Sequence, residues 1–299
     1  MNWVESKKGY ESFLRLEKSL SQNSISAYIN DINKLISFLE DKFKELPPDK
    51  VKLQHLREFV EWMNQKGVSP RTQARTISGI KSFYKYLLME GVIENDPTTL
   101  LESPKIGRKL PDILSDQEIN DLINAIDLSK PEGQRNKAMI ETLYSCGLRV
   151  SELVNLKLSN LHFDQEFIKI EGKGDKERLV PISKQAIEDI NKYLIGYRKR
   201  LKVDKDSENI LFLNRRGKQL SRVMIFTIIK NLAQKINLKK NISPHTFRHS
   251  FASQLIDGGA DLRAVQEMLG HESILTTEIY THLDKDYLKD TVNRHHPRS

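Results

Sequence analysis

Within the stretch Ser243–Leu283 stand His245 and Arg248, one helical turn apart, then the pair Gly270-His271, then Tyr280. These are side chains that can work on a phosphate. The arginine guanidinium offers a planar fork of donors to phosphate oxygens. Imidazoles donate hydrogen bonds or move protons near neutral pH. A tyrosine hydroxyl can serve as a covalent nucleophile. Its ordinary pKa is about 10, so the phenolate is scarce at neutral pH. Cations beside it would favour the anion, and a histidine could take the proton.

Several elements must place these groups. Ser243-Pro244 starts a helix that sets His245 and Arg248 on one face. His249 beside them reads as structural. A second helix ends at Gly270, where His271 either caps the last carbonyls or reaches outward. Tyr280 either packs as a core aromatic or projects as a nucleophile. Further upstream, Ser115-x-x-Glu118 is a capping box before an apolar helix. Arg135 to Cys146 reads as another helix, stopped by Gly147, and Cys146 as a buried core thiol. Arg149 follows at a helix start, with Glu152 three residues on. FIKIEG and ERLVPI alternate and predict a hairpin, joined by GKGDK. Lys173 lies in that turn between two glycines, which would let the loop approach a bound strand closely. Lys176 is its rival. Helices are expected at about 184–199 and 222–236, with NILFLN between them as a short strand. The tail segment Asp284–Val292 is amphipathic through Tyr287, Leu288 and Val292. It is too short to be stable alone. It must bury its apolar face on its own domain or on a neighbouring chain.

Residues 1–90 read as a small helical bundle. ESFLRLEKSL carries Phe13, Leu14 and Leu20 as a first stripe, and a second helix runs from Ser21 through Leu39. A third spans about Leu53–Lys66. The fourth runs from Ser69-Pro70 to Met89, with Ile77, Ile80, Phe83, Tyr84 and Leu87 inward. Its Arg71, Arg75 and Lys81 stand among Thr72, Thr76 and Ser78, a mixture suited to phosphate and groove contacts or to an ordinary solvated face. Residues 91–114 hold Pro97, Pro104 and Pro111 and read as a linker, with Lys105, Arg108 and Lys109 at its basic centre. Residues 115–299 form the second domain. The expected fold class is mainly α, with a small antiparallel β-sheet in that second domain.

Composition agrees with a polyanionic partner. The 299-residue chain has a net charge of +8, and almost all of the excess falls after residue 104. No apolar run approaches the ~20 residues that span a bilayer. The start, MNWVESKKGYESF, has no apolar signal region, so a cytoplasmic protein is expected. A single cysteine excludes an internal disulfide framework and most cysteine-based metal sites. No carboxylate cluster calls for a metal, and no cofactor is expected.

The run HTFRHSFA…GADLRAVQEMLGH…TTEIYTHL resembles the C-terminal signature of the tyrosine recombinases, and within them the Xer type. GLRVSEL and IEGKGDKERLVPI resemble two further boxes of that family. The ending HHPRS resembles the XerD branch more than the XerC branch. The resemblance implies Arg149, Lys173, His245, Arg248 and His271 as catalytic residues and Tyr280 as nucleophile, with Glu152 orienting the cations. It implies a core-binding domain over residues 1–90 that clamps double-stranded DNA, with DNA contacts from Arg71, Arg75, Lys81, Lys105, Arg108 and Lys109. The catalytic domain would fill 115–299, without metal or ATP. Four protomers would assemble on two DNA sites, with a XerC-like partner or alone, under an FtsK-type DNA translocase, to resolve chromosome dimers. The tail would dock on a neighbouring protomer. A non-catalytic helical DNA-binding protein would explain the charge but not the lysine, histidine and tyrosine together. A relaxing topoisomerase of related chemistry would not explain the N-terminal domain.

Overall fold

The computed structural model describes residues 2–44, 46–107, 112–172, 177–270 and 285–298. Lys173, His271 and Tyr280 lie outside these residues, as do Arg108 and Lys109. The chain divides into two compact units, residues 1–109 and 110–299.

The first unit is built from helices α1 (Trp3–Leu16), α2 (Gln22–Phe43), α3 (Leu53–Gln65) and α4 (Pro70–Met89). Helix α1 begins well before the expected stripe and stops short of Leu20. Its start is set by a capping box: the Glu5 amide donates to the Asn2 side chain at 2.9 Å, and the Asn2 amide donates back to the Glu5 carboxylate at 3.5 Å. Ser19, with a φ of 48°, then turns the chain, and Ser21 caps α2. The five residues expected to face inward on α4 are all at 0% exposure. They meet Tyr10, Ile32, Leu35, Leu56 and Phe59 in one core. Helices α2 and α4 cross closely at Gly79, where a Cβ would lie 3.2 Å from the Asp31 side chain. Asp31 is buried there and accepts from the Thr76 hydroxyl at 3.0 Å and from Arg75. Of the three cations expected to reach DNA from α4, Arg75 is thus partly engaged within the bundle. Arg71 is exposed and Lys81 half-buried. Beyond α4, Val92, Ile93 and Leu101 pack into this core, while Lys105 is exposed.

The second unit contains α5 (Asp116–Asn124), α6 (Gly133–Ser145), α7 (Val150–Val154), α8 (Lys184–Ile195), α9 (Arg222–Lys235), α10 (Pro244–Asp257), α11 (Leu262–Leu269) and α12 (Lys285–His295). Its antiparallel sheet has the order β1 (Leu161–His162), β2 (Phe167–Glu171), β3 (Glu177–Pro181). The expected hairpin is β2–β3, with Ile168 opposite Val180 and Glu171 opposite Glu177. Ser115 and Glu118 form the expected capping box of α5. Helix α6 is buried from Ala138 through Ser145 and packs against α8 and α10, and Cys146 after it is fully buried. Helix α8 ends earlier than expected, at Gly196, and a short turn follows. NILFLN does not form the expected strand. Leu211, Phe212 and Leu213 are fully buried, but they pair only through isolated bridges, Lys157 with Ile210 and Leu213 with Gln219. The run serves as a buried connector, which needs apolar side chains but no ladder.

The tail helix α12 lies on its own unit. Leu288 and Val292 pack with Phe251 and Leu255 of α10 and with Val265 and Met268 of α11. Lys289 pairs with Glu166 beside the sheet. Past the helix, His296 is buried against the rings of Tyr144 and Phe251, at centroid distances of 4.8 and 5.2 Å. Arg298 reaches the buried Glu141 carboxylate at 3.0 Å. The His296 Nδ1 accepts from the Arg298 amide at 3.1 Å, which leaves Nε2 carrying the proton without a partner among the described residues. Burial, helped by the Arg298 charge, pushes this imidazole down to about 3. A base whose folded pKa is depressed destabilises its seat as pH falls below its unfolded value of about 6.5. In an NMR titration the His296 ring should therefore stay neutral through pH 5 while the tail is seated. Titration near 6.5 with the tail still protected from exchange would contradict this seat.

Candidate active site

The local fold that presents Arg149 begins at Gly147. This residue ends α6 with a φ of 57°, and a Cβ on it would come within 2.4 Å of the Phe251 ring. Two residues later Arg149 caps α7. Its amide donates to Glu152 Oε2 at 2.8 Å and its Nη1 to Oε1 at 2.8 Å. The three-residue spacing read in the sequence thus becomes a capping contact that folds the arginine over its own carboxylate.

Arg248 arrives from α10, and its side chain is only 8% exposed. Its Nη1 donates to the Gly147 carbonyl at 2.9 Å and its Nη2 to the Leu269 carbonyl. It stands 3.9 Å from Glu152. Burial, and then the Arg149 charge, push Arg248 down to about 10 against the pull of Glu152. It stays a cation at neutral pH. For Glu152, burial alone would raise the carboxyl, but hydrogen bonds from Arg178 and Arg149 hold it below the usual carboxylate range. The arginines therefore face an ionised carboxylate.

The structure brings Arg149, Glu152 and Arg248 together. His245 is exposed on the first turn of α10, and His249 is exposed one turn on. Helix α11 ends at Gly270, in the left-handed region at φ 63°, with His271 the next residue. Arg149 Nη2 donates to the Gly270 carbonyl at 3.0 Å. Lys173, His271 and Tyr280 belong to the residues not described.

One member of the cluster escaped the sequence reading. Arg178 of β3 forms a fork onto Glu152, with Nη1 to Oε1 at 2.8 Å and Nη2 to Oε2 at 2.9 Å. Its only local signal is an alternate position in ERLVPI that is neither apolar nor turn-forming. Among the described residues, no group of three or more His, Cys, Asp or Glu side chains is placed to hold a metal, and no helix is long and apolar enough to cross a membrane.

A buried carboxylate thus fixes guanidinium groups beside a helix end, and guanidinium groups are the side-chain donors whose geometry suits carboxylate and phosphate oxygens. Comparison with known proteins gives the lineage. The Phage integrase family matches residues 112–286, and the phage integrase N-terminal SAM-like domain matches residues 8–91. Tyrosine recombinase XerD of Listeria innocua is 42% identical over 287 residues, 96% of this chain and 97% of its own. Tyrosine recombinase XerD of Staphylococcus aureus is 43% identical over 291 residues, 97% and 98% of the two chains. A crystal structure of XerH site-specific recombinase bound to palindromic difH substrate, a post-cleavage complex, is 25% identical. It covers 96% of this chain and 84% of that chain, with a TM-score of 0.68. This chain belongs to the phage integrase family. It is a XerD-like, site-specific tyrosine recombinase, whose family reaction is DNA cleavage and rejoining.

Proposed function

We propose that this chain cuts DNA through a 3′-phosphotyrosyl link on Tyr280 and rejoins it to a partner strand, resolving chromosome dimers at segregation. The observation that carries this reading is the Arg149–Glu152–Arg248 cluster at the end of α11. The Tyr280 oxygen attacks the phosphorus, and His245 assists removal of its proton. Arg149 and Arg248 grip the two non-bridging oxygens, and His271 donates to one of them. They stabilise the charge that builds on the five-coordinate phosphorus. The bond to the 5′ oxygen breaks, and Lys173 delivers a proton to that oxygen. A 5′ hydroxyl from a second strand then reverses the step and frees the tyrosine. The bond energy is kept in the phosphotyrosyl link, so no ATP is consumed.

Residues 1–90 act as the DNA-clamping domain, 91–114 as the linker and 115–299 as the catalytic domain with its tail. Arg71, Lys81, Lys105, Arg108 and Lys109 contact the DNA backbone, and Arg75 does so while held by Asp31. The XerH structure bound to its difH substrate supports a DNA recombination site as the partner. Protomers assemble as a tetramer on two sites, with a XerC-like recombinase or with copies of this chain. An FtsK-type translocase regulates them in the cytoplasm.

The test is capture on the DNA of the source cell. Incubation in EDTA, followed by denaturing isolation of protein-linked fragments and sequencing of their flanks, should return one short recurrent site. Adducts that require magnesium, or that scatter without a common sequence, would overturn the reading.

A further inference from the structure

Arg178 joins two parts of the site, Glu152 and the end of α11, which Arg149 also spans, but Arg178 does so with a two-pronged fork on the carboxylate. Glu152 receives four hydrogen bonds: two from the Arg178 fork, one from Arg149 Nη1 and one from the Arg149 amide. A carboxylate offers about four lone-pair sites, so this one is filled. Arg248 is consequently left 3.9 Å away, with its donors on the Gly147 and Leu269 carbonyls. The third donor of Arg178, Nε, reaches the Met268 carbonyl at 2.8 Å. The last carbonyls of a helix have no partner within it. At the end of α11, Met268, Leu269 and Gly270 accept from Arg178, Arg248 and Arg149 in turn. Arg178 also lies flat against that turn, since a Cβ on Gly270 would sit 3.2 Å from its Cδ and Nη1.

We propose that Arg178 is a positioning residue for strand cleavage, holding Glu152 and the end of α11 in the register that lets Arg149 and Arg248 grip one phosphate. This inference rests on the catalytic roles given above for Arg149 and Arg248. Removing Arg178 would empty two lone pairs of a carboxylate whose side chain is 4% exposed. A buried carboxylate that has lost half of its donors draws in the nearest cation not already bonded to it. Arg149 is already in place at 2.8 Å, so that cation is Arg248 at 3.9 Å, which would leave its two carbonyls and turn onto Glu152. The Met268 carbonyl would lose its donor in the same step, loosening the last turn of α11. Lysine keeps the charge but cannot make the planar fork and the Met268 bond together.

The experiment compares Arg178→Met, Arg178→Lys, Glu152→Gln and the double variant Arg178→Met/Glu152→Gln in the full chain on its captured site. Binding is read by gel shift and cleavage by single-turnover covalent trapping. Arg178→Met should cleave on the order of 100-fold more slowly, the cost of a small misplacement of reacting groups, with unchanged affinity. Arg178→Lys should recover part of the rate. The double variant should be no slower than Glu152→Gln alone, because a neutral amide no longer needs the fork and the two residues act as one unit. Full-rate cleavage by Arg178→Met, a loss seen in affinity instead of rate, or losses that multiply in the double variant would each overturn the proposal. Should Arg178→Met fail to melt cooperatively, the same comparison is made with Arg178→Lys. Arg248→Ala is run alongside: if it cleaves at full rate, the reading of the site itself is wrong. If it is inactive while Arg178→Met is unimpaired, only the role of Arg178 falls.

Discussion

Tyr280→Phe should bind its DNA site with the affinity of the unaltered chain and form no covalent adduct. The substitution removes one oxygen and keeps the ring, so the cations that displace counterions are retained. Loss of a nucleophile in a cooperating set costs on the order of 10⁶-fold, since the remaining groups have nothing to activate. Tyr287 of α12 is 44% exposed and takes no part in the packing of Leu288 and Val292, so Tyr287→Phe is run alongside and should form the adduct normally. A native gel and a denaturing gel, both run after incubation with a nicked substrate, check the two halves: the shift persists on the first and the slow covalent band vanishes from the second. A covalent band from the Tyr280→Phe variant would move the nucleophile elsewhere.

The second large effect is expected at Arg248. Arg248→Ala should reduce single-turnover cleavage by about 10²–10³-fold, the usual cost of one donor to a developing oxyanion. Arg248→Lys should recover little of this. A lysine has the charge, but its ammonium cannot serve the Gly147 carbonyl, the Leu269 carbonyl and a phosphate oxygen from one planar fork. Both variants should bind DNA nearly as well as the parent, because clamping depends on many exposed cations. A thermal melt separates catalytic loss from unfolding, since two carbonyls lose their donor. Cleavage by Arg248→Lys at the parent rate would remove the fork from the mechanism.

The elements of the site that lie close in sequence were legible in advance. Arg149 and Glu152 are three residues apart, and the capping contact between them follows from that spacing. The inward face of α4 and the β2–β3 pairing follow from periodicity alone. Arg178 was not legible, because its partner Glu152 is 26 residues away and the meeting depends on how β3 packs on α7 and α11. Alternation in a strand says which face a residue takes, not what waits there. The early start of α1 rests on a polar capping box at Asn2 and Glu5, which an apolar stripe does not report. NILFLN shows the opposite failure: a short apolar run signals burial, and burial does not require a strand.

Because α12 is seated on its own unit, with Leu288 and Val292 in the groove of α10 and α11 and Arg298 on Glu141, its docking is an intramolecular event. A tethered segment presents itself at an effective concentration in the millimolar range. A free peptide with the sequence of this tail would have to approach that level before it could displace the resident one, so the groove is shielded from dilute competitors by the covalent link alone.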